Sequence, residues 1–149
     1  MFQHILLPTD GSPGSTAAAR FCIQFAAQYG AQVTAVHVVE PPYLFAYEPV
    51  IPDDALQAYS RNREVRADEI FLPISQLAGE ARVQFDGVEV QADDPWDGIL
   101  QVAHDRGCDL VMIASHGRKG LRGLLLGSQT QKLLTHSAIP VMVLRGLPA

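Results

Sequence analysis

An α/β fold, a doubly wound five-stranded parallel sheet with helices on both faces, is predicted from three observations on this chain. Short apolar runs alternate with longer stretches of helical periodicity in the order β-α-β-α-β-α-β-α-β, and such alternation gives a mostly parallel sheet. The first run, residues 3–9, is apolar without alternation, as in a strand covered on both sides. Helix starts are marked by Ser12-Pro13 and Asp94-Pro95, and stops by Gly30 and Gly107. The 149 residues fit one domain, 1–149, large enough to bury roughly 70% of its unfolded surface. The expected strand order is 3-2-1-4-5, which puts the reversal of order between the first and fourth strands.

Each element has a local reason. The run 3–9 breaks at Asp10-Gly11. Ser12 serves as N-cap and Pro13 as first helical residue of a helix with the apolar stripe Ala18, Phe21, Cys22, Phe25, Ala26 and Tyr29. Residues 33–39 are β-branched and strand-like. Four prolines (Pro41, Pro42, Pro49, Pro52) and three aromatics make 40–52 a loop. Asp53 or Asp54 is expected to cap a longer helix reaching about Ala78. Its stripe (Leu56, Tyr59, Ile70, Ile74, Leu77) is interrupted near Arg63, and Pro73 is expected to kink or split it. Residues 83–91 alternate apolar and polar, with Gly87 as an expected bulge. Asp94-Pro95 opens a third helix with Trp96, Ile99, Leu100 and Ala103 inward. Residues 110–114 form a fourth strand and 128–136 a last helix. Residues 140–145 form a fifth strand, placed at an edge because it starts with proline.

Composition narrows the function. With 48% hydrophobic and 18% charged residues the chain is globular, and its net charge of -5 speaks against nucleic-acid or anionic-membrane partners. No apolar run approaches the ~18–20 residues of a membrane span. The N-terminus lacks the basic region and cleavage pattern of a signal peptide, which points to the cytoplasm. Cys22 and Cys108 suggest no disulfide framework and read as small core residues. None of the five histidines stands at a familiar metal spacing, so no metal site is expected. His37 reads as an interior histidine with a hydrogen-bond partner.

The chemistry concentrates in residues 113–128. An apolar strand ends in Ile113-Ala114-Ser115-His116-Gly117; Arg118, Lys119, Gly120 and Arg122 follow, and Gly127-Ser128-Gln129 opens a helix. Glycine lets backbone N–H groups approach an anion, and the unpaired donors of a helix start point at it. Three of eleven basic residues within five positions of an acidic protein are either a solvated loop or an anion site; the glycines favour the second. In a doubly wound sheet ligands bind where the strand order reverses, so Pro8-Thr9-Asp10 and residues 113–117 would face one crevice. His116 either touches phosphate or fixes the loop. Asp10 before Gly11 also fits a plain turn, and Ser128 a plain N-cap. There is no G-x-x-x-x-G-K-[ST], no G-x-G-x-x-G after the first strand and no G-x-S-x-G, which removes the P-loop, that dinucleotide fold and the nucleophile elbow.

Over nearly its whole length the chain resembles the universal stress protein family. Its ATP-binding branch carries G-x2-G-x9-G-[ST], matched here by Ala114-Ser115-His116-Gly117, nine residues, then Gly127-Ser128. The opening Ile-Leu-Leu-Pro-Thr-Asp-Gly-Ser, the strand end at His37-Val38 and the closing Pro-Val-Met-Val fit as well. The resemblance implies ATP, with or without Mg2+, as a regulatory or structural ligand in stress response or signalling. It implies Asp10 at the ribose or adenosine end, and Val38 and Ile113 around adenine. Gly117 and Gly127 would wrap the ribose and phosphates, with Ser128 donating to phosphate. It also implies a homodimer through Val141, Met142, Val143 and Leu144. Alternatives are slow Mg2+-dependent ATP hydrolysis and a nucleotide-free interaction module. The signature departs from the family at Ala114, where a methyl replaces the first glycine. Overpacking there would cost ~1–3 kcal/mol if the methyl met the nucleotide, and little if it pointed away.

Overall fold

A computed structural model describes residues 1–41, 52–116 and 126–148. The elements run β1 (His4–Pro8), α1 (Pro13–Tyr29), β2 (Gln32–Val39), α2 (Asp53–Ala81), β3 (Phe85–Gln91), α3 (Pro95–Asp105), β4 (Leu110–Ala114), α4 (Ser128–His136) and β5 (Val141–Leu144). The sheet order is β3-β2-β1-β4-β5, with every pair parallel. The predicted architecture and order are observed.

Alternation along each strand divides the core in two. Ile5, Leu7, Val33, Ala35, Leu110 and Met112 pack with Ala18, Cys22 and Ala26 of α1 and Ile74 and Ala78 of α2. Leu6, Val36, Val111 and Ile113 pack on the other face with Ile99 and Val102 of α3 and Leu133 of α4. Ile5, Leu6 and Leu7 are all fully buried, each contributing about 1.5–3 kcal/mol, which explains a strand without polar alternation.

Several local expectations are corrected. The buried stripe of α1 centres on Ala18, Cys22 and Ala26, while Phe21 and Tyr29 are exposed and stack with Phe25 along the helix flank. Helix α2 continues unbroken through Pro73 to Ala81, because Ile70 and Ile74 are buried on both sides of that exposed proline. Pro52 holds the N-cap position of α2. Asp53 and Asp54 lie inside its first turn, where carboxylates favour the helix dipole. Gly87 is no bulge: Ala35 pairs with it in an uninterrupted register, and the Phe71 ring fills the place of its missing side chain. Gly127, not Ser128, occupies the N-cap position of α4. Cys22 and Cys108 are free and buried, as expected.

Candidate functional site

The sheet's order reverses between β1 and β4, and at their carboxyl ends a cleft of about 880 Å3 opens. Its floor is built by turns. Thr9 extends β1 through its N–H, 2.9 Å from Val36 O, and Gly11 follows with φ 74, a left-handed conformation that suits glycine. The Asp10 carboxylate accepts the Ser12 N–H at 3.0 Å, closing the turn that launches α1. Ser12 in turn accepts from the Ser15 N–H at 3.2 Å, the N-cap predicted from sequence. Thr9 Oγ1 donates to Ser15 Oγ at 3.3 Å, so buried hydroxyls brace this corner.

The opposite corner is set by β4 and α4. The Gly127 N–H reaches Ser115 O at 2.9 Å, and Thr130 Oγ1 donates to Ala114 O at 3.3 Å. These bonds hold the start of α4 against the end of β4, with the unpaired N–H groups of its first turn at the cleft. His116 Nδ1 lies 3.1 Å from Ser115 Oγ.

His37 forms a third wall. It is only 7% exposed, and its Nδ1–H donates to Thr9 O at 3.0 Å. That bond makes Nε2 the acceptor of the neutral ring. His37 is thus the interior histidine expected, and it also borders the cleft.

Of the residues singled out by sequence, Pro8, Thr9, Asp10, Val38, Ile113, Ala114, His116, Gly127, Ser128 and Gln129 line one cleft. Asp10 and Ser128, 118 positions apart, open onto the same space. Ser115 does not line it. Gln129 is partly committed elsewhere, since its Oε1 accepts the Trp96 N–H at 3.0 Å and so caps α3. Gly117, Arg118 and Gly120 lie outside the described residues. Ala114 belongs to the core cluster under α1 with Leu110 and Met112, so its methyl is packed into apolar side chains.

Sequence reasoning missed a whole wall. Tyr59, Asn62, Arg63 and Arg66 of α2 line the cleft, as do Glu40 at its rim and Ile99 of α3. Arg63 donates to Glu89 Oε1 from Nε at 3.0 Å and from Nη2 at 2.7 Å. Its guanidinium also lies 5.7 Å from the Tyr59 ring centroid. The signal was present as the interruption of the α2 stripe near Arg63. Among the described residues no group of three His, Cys, Asp or Glu is placed to hold a metal ion.

Comparison with known proteins identifies the family and the fold. The sequence profile of the universal stress protein family matches residues 1–145. A universal stress protein of Thermus aquaticus is 32% identical, over 97% of this chain and 100% of its own length. The solved structure of Methanocaldococcus jannaschii MJ0577 superposes with a TM-score of 0.82 at 23% identity, covering 100% of this chain and 99% of that one. A universal stress protein family protein from Arabidopsis thaliana, solved with AMP bound, gives a TM-score of 0.67 at 14% identity over 95% of this chain and 90% of its own.

Proposed function

Because this chain belongs to the universal stress protein family, we propose that it binds ATP in the cleft between β1 and β4, as a regulatory or structural ligand rather than as a substrate. The observation that carries this reading is the convergence of the Asp10 turn and the Gly127-Ser128 helix start on one cleft at the switch point of the sheet. Adenine would lie between Val38 and Ile113, with Asp10 at the ribose and the Ser128 end of α4 at the phosphates. Gly117, Arg118 and Gly120, which lie outside the described residues, belong to the same reading as phosphate-side residues. The Arabidopsis relative solved with AMP supports an adenine ligand in a domain of this fold.

Hydrolysis is the weaker reading. It needs a positioned water, a base and, for ATP, Mg2+. Asp10, the carboxylate nearest the turn, is already bonded to the Ser12 N–H. A dimer through β5 belongs to the same proposal, since β5 pairs with β4 on one side and ends the sheet on the other. Among the described residues no helix is long and apolar enough to cross a membrane, and a cytoplasmic location is part of the reading.

Isothermal titration calorimetry with ATP tests the proposal. Saturable binding is expected. Ser128→Ala should weaken it by about tenfold or more, the effect of losing a hydrogen bond to a charged group. Flat titrations with both the natural chain and Ala114→Gly would overturn it.

A further inference from the structure

The inward face of α2 changes character halfway along. In its second half the face holds Ile70, Ile74 and Ala78, all buried in the core. Continued toward the N-terminus at steps of three and four, the same face holds Tyr59, Asn62, Arg63 and Arg66. Those four line the cleft, and no α2 residue before Ile70 is buried. The cleft-facing side of this half is therefore polar, where an ordinary surface helix turns an apolar stripe inward. A face that points inward and is polar is shaped for a polar occupant.

The charge on this wall is positive and partly uncommitted. Arg63 is balanced by Glu89, whereas Arg66 forms no ion pair with a described residue. The wall also stands away from α4. Helix α2 flanks β3 and lines the cleft from that side, and α4 begins at the end of β4, with β2 and β1 between. Three strand spacings, on the order of 15 Å, separate β3 from β4. Asn62 and Arg66 also share a smaller pocket with Gly11, beside the Asp10 turn, so a nucleotide with its ribose at Asp10 and its 5′-phosphates at α4 would turn its 3′ side toward Arg66. The cleft, about 880 Å3, is toward the upper end of the roughly 300–1,000 Å3 usual for ligand sites.

Resting on the adenine-nucleotide reading above, we propose that Arg66, with Asn62 and Arg63, forms a second anion subsite, and that the preferred ligand carries phosphate at both ends of its nucleoside. A nucleoside 3′,5′-bisphosphate and a 3′,5′-linked dinucleotide with a 5′-phosphate share that chemistry. Guanidinium groups suit it because their planar donors match phosphate oxygens two at a time.

The test compares AMP, adenosine 3′,5′-bisphosphate and 5′-phosphoadenylyl-(3′→5′)-adenosine by calorimetry on the natural chain, Arg66→Gln and Arg66→Lys. The natural chain should bind at least one doubly phosphorylated ligand about tenfold or more tighter than AMP, and the one that gains identifies the source. In Arg66→Gln that ratio should fall to within about twofold, with Arg66→Lys between. AMP binding without any such preference, or a preference untouched by Arg66→Gln, overturns this subsite and leaves the adenine reading standing. Failure of all three ligands to bind the natural chain overturns this subsite, and failure of ATP as well overturns both.

Discussion

At Ala114 the methyl that replaces the family's first signature glycine sits among Leu110 and Met112 under α1, only 9% exposed. Packed there, it is part of the core. Ala114→Gly is therefore expected to change ATP affinity by less than threefold, while lowering stability by about 1 kcal/mol through lost burial and added chain freedom. Calorimetry and urea unfolding separate the two effects; a tenfold gain in affinity would show that the methyl meets the ligand. Cys22 makes a second prediction. Burial pushes its thiol from 9.0 up to about 12. Above pH 9.0 the unfolded chain has lost this proton and the folded chain keeps it, so the unfolded state binds fewer protons and stability falls as pH rises toward 12. Urea midpoints measured at increasing pH above 9 should decline less steeply in Cys22→Ala than in the natural chain. Parallel slopes would contradict this.

Among the elements, β3 and α2 meet closely at Gly87 and Phe71 as well as through Arg63 and Glu89. A Cβ added at Gly87 would stand 2.8 Å from Phe71 Cγ, near the fixed root of the ring rather than its free end. Gly87→Ala should cost about 1–3 kcal/mol, and pairing it with Phe71→Ala should cost less than the two losses summed. Pro73 works the other way. It is exposed and interrupts the hydrogen-bond ladder of an otherwise continuous helix, so Pro73→Ala should raise the unfolding midpoint. A loss of stability would mean that the proline shapes the helix. The contrast explains what was legible in sequence. The ends of α1 were marked by local chemistry, Ser12-Pro13 and Gly30, and these were read correctly. Gly87 was misread, and the split at Pro73 does not occur, because these local signals are overruled by a partner more than a dozen residues away or by burial of Ile70 and Ile74.

For the whole molecule, ligand and assembly are the measurable consequences. ATP at about 100 times its Kd should stabilise the fold by about 2.7 kcal/mol, a rise of about 5–10 °C in Tm for a chain of this length. No shift at saturating ATP would contradict the proposed role. Met142→Lys places a charge on the open edge strand and should convert a dimer to a 16.2 kDa monomer in light scattering. The glycine-rich half of the candidate site was readable because Ala114 to Gln129 carry it within one short stretch of sequence. The α2 half was not, since Tyr59, Asn62, Arg63 and Arg66 acquire meaning only when the fold sets α2 along the cleft at the ends of β1 and β4.

The leading turns of α2 have no oily anchorage of their own, and they are tied down by the Arg63–Glu89 bridge and a long Tyr59 contact to Glu40. They are expected to open at lower cost than the rest of the fold, while the sheet beneath stays intact. Whatever molecule fills the cavity would then supply the missing glue, and amide exchange over 53–66 would slow when it arrives. A metabolite level would in this way become the firmness of one stretch of surface, which is a form of information another protein can read.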